Sequence, residues 1–154
     1  MSTEDDVRNA SKNFYAGLNR MANGDDGPLA DIWSHSAAVT AMHPIGGREV
    51  GWDAVRASFE KVAQLASEGK IELKDQLIRV TGDMAYEAAI EHGHFKLAGQ
   101  PVSIEHRVTN IYQREAVESY KQRMTIQWRR QAVHESHYGR GFDCGTGTSG
   151  SFPR

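Results

Sequence analysis

Few side chains in this 154-residue chain combine a type and a position that could move a proton. The first is His43, in the stretch Ala-Met-His-Pro-Ile-Gly-Gly at 41–47. If residues 35–43 form a strand, Val39, Ala41 and His43 share a face by the two-residue period. Pro44 has no N–H and ends such a ladder. An imidazole at a strand end, facing a closed apolar pocket, can take or give a proton near neutral pH. A histidine that merely ties a turn together is the plainer alternative. The second stretch is Val-Ser-Ile-Glu-His-Arg-Val-Thr-Asn-Ile-Tyr at 102–112. Strand parity puts Glu105, Arg107, Thr109 and Ile111 on one face and Ile104, His106, Val108, Asn110 and Tyr112 on the other. Neither set is cleanly apolar, so periodicity leaves open which one lines a pocket. A Glu105–Arg107 pair on a solvated face is the plainer reading of the first set.

Other chemistries find less support. His92 and His94 in Glu-His-Gly-His-Phe have a spacing that suits a metal. The glutamate a few residues later that would complete such a site is missing, because Glu105 is too far along, so no metal is expected. His134-Glu-Ser-His137 is not the two-histidine helix motif of metalloproteases. The chain has no phosphate-binding glycine loop, dinucleotide fingerprint or nucleophile-elbow motif, and no cofactor is expected. Cys144 is the single cysteine, so an internal disulfide is excluded. A net charge of -2 and a pI near 6.4 give no overall attraction to nucleic acid or anionic membrane. No apolar run approaches the ~18 residues of a membrane span. The acidic, polar first ten residues lack the features of a secretory signal. These points predict a cytoplasmic protein.

The elements that must position these residues follow from periodicity. Ser2 or Thr3 can cap a helix whose apolar positions Val7, Ala10, Phe14, Leu18 and Met21 recur at three- and four-residue steps. Pro28 opens a second, short helix with Leu29, Ile32 and Trp33 on its buried side. A strand is predicted over 35–43, then a loop over 45–51. A third helix runs from Trp52 to about Ser67, with Gly69 as its stop. Strands follow: one around 70–80 that changes phase once, one over 84–97, one over 102–114 and one over 119–128, with turns at Thr-Gly-Asp and Ala-Gly-Gln-Pro. Three helices in the first half and a run of antiparallel strands afterwards predict an α+β fold, with the helices packed on one face of a curved sheet. Residues 1–130 are expected to form one domain, and 131–154 a flexible Gly/Ser/Thr-rich tail.

The order and spacing of several pieces carry a resemblance. Asn-Phe-Tyr-Ala-Gly-Leu-Asn-Arg-Met-Ala-Asn-Gly-Asp leads to Pro-Leu-Ala-Asp-Ile-Trp-Ser-His-Ser-Ala-Ala-Val-Thr-Ala-Met-His-Pro-Ile-Gly-Gly. Then come Gly-Trp-Asp-Ala-Val-Arg-Ala-Ser-Phe-Glu-Lys-Val, Val-Thr-Gly-Asp-Met-Ala-Tyr-Glu-Ala-Ala and Glu-His-Arg-Val-Thr-Asn-Ile-Tyr-Gln-Arg. Together, over roughly residues 7 to 115, they resemble the SnoaL-like and ketosteroid-isomerase-like branch of the nuclear-transport-factor-2-like superfamily. The resemblance implies a cone: a curved, mostly antiparallel sheet wrapped around an apolar pocket, with the three helices packed on its concave face. Such proteins include isomerases, dehydratases, polyketide cyclases and epoxide hydrolases, and also binding and assembly modules without chemistry. The implied function is cofactor-free proton transfer on a small apolar molecule; the alternative is a non-catalytic ligand-binding or assembly module. A homodimer through the outer sheet face is implied as well.

The resemblance also assigns roles. His43-Pro44 stands where the isomerases carry the Asp-Pro of their general base. Glu105 stands where they carry an oxyanion-hole aspartate kept protonated by apolar surroundings, and His106 is the neighbouring polar candidate. The isomerases' first-helix tyrosine falls on Phe14, with Tyr15 about 100° further round the helix. Phe14, Tyr15, Trp33, Phe59 and Arg107 are the expected substrate contacts. Asp31 sits near an acid that some relatives pair with a histidine. No histidine lies between Pro44 and Glu91 to complete that dyad, so Asp31 is expected on a helix surface. After residue 116 the chain departs from the family's usual Gly-Gly-Trp-Lys continuation. Codons for Val117–Ser119 read one nucleotide later could encode Trp-Lys-Val, so a reading-frame change would account for the departure; the gene sequence tests this.

Overall fold

The computed structural model describes residues 3–43, 47–116 and 119–129. The elements are α1 (Thr3–Met21), α2 (Leu29–Ile32), β1 (Thr40–Met42), β2 (Glu49–Val50), α3 (Trp52–Leu65), β3 (Ala66–Thr81), β4 (Met84–Leu97), β5 (Gln100–Ala116) and β6 (Ser119–Arg129). The six strands form one sheet in the order β2-β1-β6-β5-β4-β3. Pairing is antiparallel throughout except where β1 runs parallel to β6. This is the α+β cone, with the helices against the concave face.

The buried side of α1 is broad. Val7, Phe14, Leu18 and Met21 are buried as the periodicity predicts, and Ser11, Tyr15 and Ala22 are buried with them. Asn19 near the C-terminal end of α1 and Asn23 in the turn that follows hold β3, which is an edge strand. Asn19 gives its amide N–H to Ile71 O and accepts from Ile71 N, and Asn23 pairs in the same way with Gly69. These bonds satisfy backbone groups that an uncovered edge would leave open.

Three local expectations change. The strand over 35–43 is reduced to Thr40–Met42, because Ser36 makes a turn: its hydroxyl accepts from Ala38 N at 3.0 Å. The expected end of the strand at Pro44 falls outside the described residues. The loop over 45–51 contains the two-residue strand β2, paired with β1. The third helix ends at Leu65 rather than Ser67, and β3 starts at the next residue, so Gly69 is not a helix stop. The predicted phase change in β3 lies between Lys74 and Leu77, where the register shifts and Asp75 has φ 53°. The Ala-Gly-Gln-Pro turn places Ala98 and Gly99 at φ 50° and 80°, as a two-residue hairpin loop requires.

Gly93 shows how closely β3 and β4 approach. A Cβ there would lie 2.1 Å from Lys70 O and 2.9 Å from Ile71 Cα, both backbone atoms. Gly93→Ala is therefore expected to destabilise the fold by about 3 kcal/mol in chemical denaturation, at the upper end of overpacking costs. A change below about 1 kcal/mol would mean that the two strands part freely.

Candidate functional site

The concave face carries an apolar and a polar half. In the apolar half Phe14, Trp33 and Phe59 are 1–3% exposed and pack ring against ring. The Phe14–Trp33 centroids are 6.2 Å apart and the Trp33–Phe59 centroids 5.6 Å. His43 extends this row. Its ring meets the Phe59 ring edge-on at 5.7 Å, and its side chain is 18% exposed. Val39 and Ala41 are fully buried, so the three residues share the face that strand parity predicts.

The contacts of His43 bear on the tautomer of its neutral ring. Its Nε2 lies 3.4 Å from Ser58 Oγ and 4.0 Å from Glu49 Oε2. The Ser58 hydroxyl gives its single proton to Val55 O at 2.7 Å. It can therefore only accept from His43, and a carboxylate likewise only accepts. Both neighbours favour the proton on Nε2, which leaves Nδ1 as the basic nitrogen of the neutral ring. Glu49 Oε2 is buried and has no hydrogen-bond partner among the described residues.

The polar half centres on two carboxylates that the sequence reading did not single out. Glu87 and Glu91 are 0–1% exposed and four residues apart on the inner face of β4. Glu87 Oε1 accepts from Ser11 Oγ at 2.6 Å and from Gln76 Nε2; Oε2 accepts from Asn110 Nδ2 at 2.9 Å and Tyr112 Oη at 3.0 Å. Four donors match the acceptor capacity of one carboxylate. Arg8 reaches this group through Gln76, donating to Gln76 Oε1 at 2.6 Å. Glu91 Oε1 accepts from Tyr15 Oη at 2.7 Å, and Asn110 also donates to Tyr15 Oη at 3.1 Å. His106 is buried and stands directly across the β4–β5 ladder from Glu91.

The structure thus settles the face of β5. Ile104, His106, Val108, Asn110 and Tyr112 point inward and are buried, whereas Glu105 and Arg107 are exposed. Glu105 pairs in register with His92, which pairs with Glu72, so it belongs to a charged row on the outer surface. Glu105 and Arg107 are therefore not brought together with His43, Phe14, Tyr15, Trp33, Phe59 or His106. Asp31 is exposed on α2, as expected. Among the described residues no cluster of three histidine, cysteine or acidic side chains is placed to hold a metal, and His92 and His94 are exposed. Cys144 and the 134–137 stretch lie outside the described residues. Among the described residues no helix is long and apolar enough to cross a membrane.

The two inner phenols are tuned by burial. Desolvation first, and then the neighbouring Glu91, push the Tyr15 pKa well above the ordinary value of about 10. Desolvation, and then Glu87, do the same for Tyr112. A phenol whose folded pKa is raised contributes stability that is complete below the unfolded pKa and is lost as pH rises above it. In an alkaline titration followed by phenolate absorbance, Tyr15 and Tyr112 are expected to stay protonated above pH 10 until the protein unfolds. Ionisation of all five tyrosines before loss of the circular dichroism signal would contradict this.

Residues 7–121 match the family model of the SnoaL-like domain, and the chain belongs to that family. Solved structures share the fold at low identity. A candidate dehydratase of the NTF2-like family from Streptomyces avermitilis is 22% identical, with TM-score 0.74 over 84% of this chain and 96% of that one. A candidate ketosteroid isomerase from Shewanella frigidimarina is 17% identical, with TM-score 0.64 over 79% and 94%. A CaMKII hub from S. rosetta is 18% identical, with TM-score 0.67 over 84% and 98%. A search of curated proteins gives no significant match.

Proposed function

We propose that the protein is a small-molecule enzyme that moves a proton, without a cofactor, on an apolar carbonyl compound held in the cone. The observation that carries this reading is His43: a half-buried imidazole edge-on to the Phe59 ring, with a Glu49 carboxylate oxygen that has no hydrogen-bond partner among the described residues 4.0 Å from its Nε2. In this reading His43 Nδ1 takes a proton from carbon next to the carbonyl, and Glu49 steadies the imidazolium that forms. Phe14, Trp33 and Phe59 hold the apolar body of the substrate. His106, beside Glu91 and Tyr15, is the inner polar partner. The outward Glu105 and Arg107 take no part. A cytoplasmic location goes with this reading.

The test is hydrogen exchange in heavy water. A panel of cyclic ketones is followed by proton NMR, and the protein is expected to accelerate loss of α-hydrogen signal for at least one member. No acceleration across the panel, with the fold intact, overturns the enzyme reading.

A separate observation supports the assembly alternative. On the convex face Leu77, Met84 and Tyr86 are 42–44% exposed and cluster on adjacent positions of the β3–β4 ladder. Apolar clusters of this kind mark interaction surfaces. The protein is expected to sediment as a homodimer, and Leu77→Lys with Tyr86→Lys to sediment as a monomer. A monomeric wild-type protein would remove this reading.

A further inference from the structure

The turn before α2, α2 itself and α3 line a pocket of about 160 Å³. Its apolar lining is Leu29 and Phe59, both buried, and Trp52, which is half-buried. The two helices are tied together beside it. His35 Nε2 lies 2.6 Å from Ala30 O, and a carbonyl only accepts, so that nitrogen carries the ring proton. The same ring stacks on Trp52, with centroids 4.6 Å apart and planes within 10°. His35 thus links α2 to the first residue of α3, and the pocket is formed before a ligand arrives. Two charged side chains reach it, in different states. Arg56 donates through Nε to Glu60 Oε1 at 2.9 Å, so its charge is already balanced. Asp26 is held by the turn, where its carbonyl oxygen accepts from Leu29 N at 3.0 Å. The neighbouring Asp25 carboxylate is engaged by Gly27 N and Arg20. The Asp26 carboxylate has no hydrogen bond or ion pair among the described residues.

We propose that this pocket binds a small aryl-alkylamine, with its ring against Trp52 and Phe59 and its ammonium on the Asp26 carboxylate. Size sets the first limit. An apolar cavity of about 150 Å³ accepts benzene, so one six-membered aromatic ring fits. Charge sets the second. An unengaged carboxylate beside apolar walls attracts a cation more strongly than one surrounded by water, and aromatic faces attract cations as well. A ligand carboxylate would instead have to draw Arg56 from Glu60 and then lie in the same pocket as Asp26. The site shares Phe59 with the aromatic row of the cone, and it does not rest on the proton-transfer reading.

The experiment compares benzylamine, benzyl alcohol and benzoate, which share a ring and end in an ammonium, a hydroxyl and a carboxylate. Proton–nitrogen spectra of the full chain at neutral pH, with the indole resonances assigned sequentially, report contact at Trp52. Benzylamine at up to about 10 mM, the range for a weak one-ring ligand, is expected to shift the Trp52 indole resonance saturably. It is expected to bind about tenfold more tightly than benzyl alcohol, the scale of one charge-assisted hydrogen bond, and more tightly than benzoate. Added salt should narrow the gap between amine and alcohol. Asp26→Asn should bring the amine down to the affinity of the alcohol and leave the alcohol unchanged, which also shows that the variant is folded. Arg56→Gln should not weaken the amine. The proposal is overturned by a Trp52 resonance that stays still with benzylamine, by equal affinities for amine and alcohol, or by an amine preference that survives Asp26→Asn. Tightest binding of benzoate would overturn it too, because the pocket would then be an anion site on Arg56.

Discussion

Glu87→Ala is expected to lower the stability of the folded protein by about 4 kcal/mol. The substitution leaves Ser11, Gln76, Asn110 and Tyr112 without the oxygen atoms that accept from them. A stranded buried donor costs about 1–3 kcal/mol, and relaxation or entering water recovers part of the sum. A domain of this kind has about 5–15 kcal/mol in hand, so the variant approaches unfolding at ordinary temperature. Glu87→Gln should fall between the two. It keeps the shape but turns one acceptor into a donor that faces other donors. Urea denaturation followed by circular dichroism measures both. A double-mutant cycle with Ser11→Ala adds a specific sign: removing the hydroxyl should cost less once Glu87 is alanine, because the stranded donor is gone. A loss below about 1 kcal/mol for Glu87→Ala would show that the four hydrogen bonds do not hold the cone.

This network explains why the sequence disclosed the fold more readily than the site. Helical spacing is a local property, so α1 and α3 could be read from Val7, Phe14 and Leu18 and from Val55 and Phe59, all buried as expected. The phase change in β3 was equally local, because a residue with positive φ leaves its mark in the alternation. Glu87 and Glu91 were not legible in this way. Along β4 their parity also holds Ala85 and Ala89, while the opposite parity holds Tyr86, Ala88 and Ile90, so both faces look apolar. Cross-strand complementarity distinguishes them: Glu87 stands opposite Asn110, and Glu91 opposite His106. That signal requires the register, which depends on contacts across the sheet. The same gap affected Glu105 and His106. Adjacent strand residues point to opposite faces, and the register with β4, which sets His106 opposite buried Glu91 and Glu105 opposite exposed His92, decides which of the two meets the cone. Between 35 and 39 a turn made by one serine hydroxyl outweighed an apolar pattern that otherwise suited a strand.

His43→Ala is expected to reduce turnover on an accepted ketone by about 10²- to 10⁴-fold, the range general-base catalysis supplies, while the protein stays folded. The separation of the two effects follows from position. The imidazole is 18% exposed, at the end of a three-residue strand. Its one hydrogen-bond contact with Ser58 is long, at 3.4 Å, so truncation strands little. The thermal midpoint should move by a few degrees at most. The loss should fall on kcat with KM nearly unchanged, because proton removal is a transition-state contribution, whereas binding rests on the aromatic row. Glu49→Gln should keep Nδ1 as the base and lose only the charge opposite Nε2, giving a smaller drop of about tenfold. In the His43→Ala background the same substitution should have no further effect, since Glu49 acts through His43. Glu105→Gln, on the outer face, should leave turnover unchanged. If His43→Ala keeps full turnover, the half-buried imidazole is a turn residue, and the acid–base work would pass to His106 with Glu91 and Tyr15.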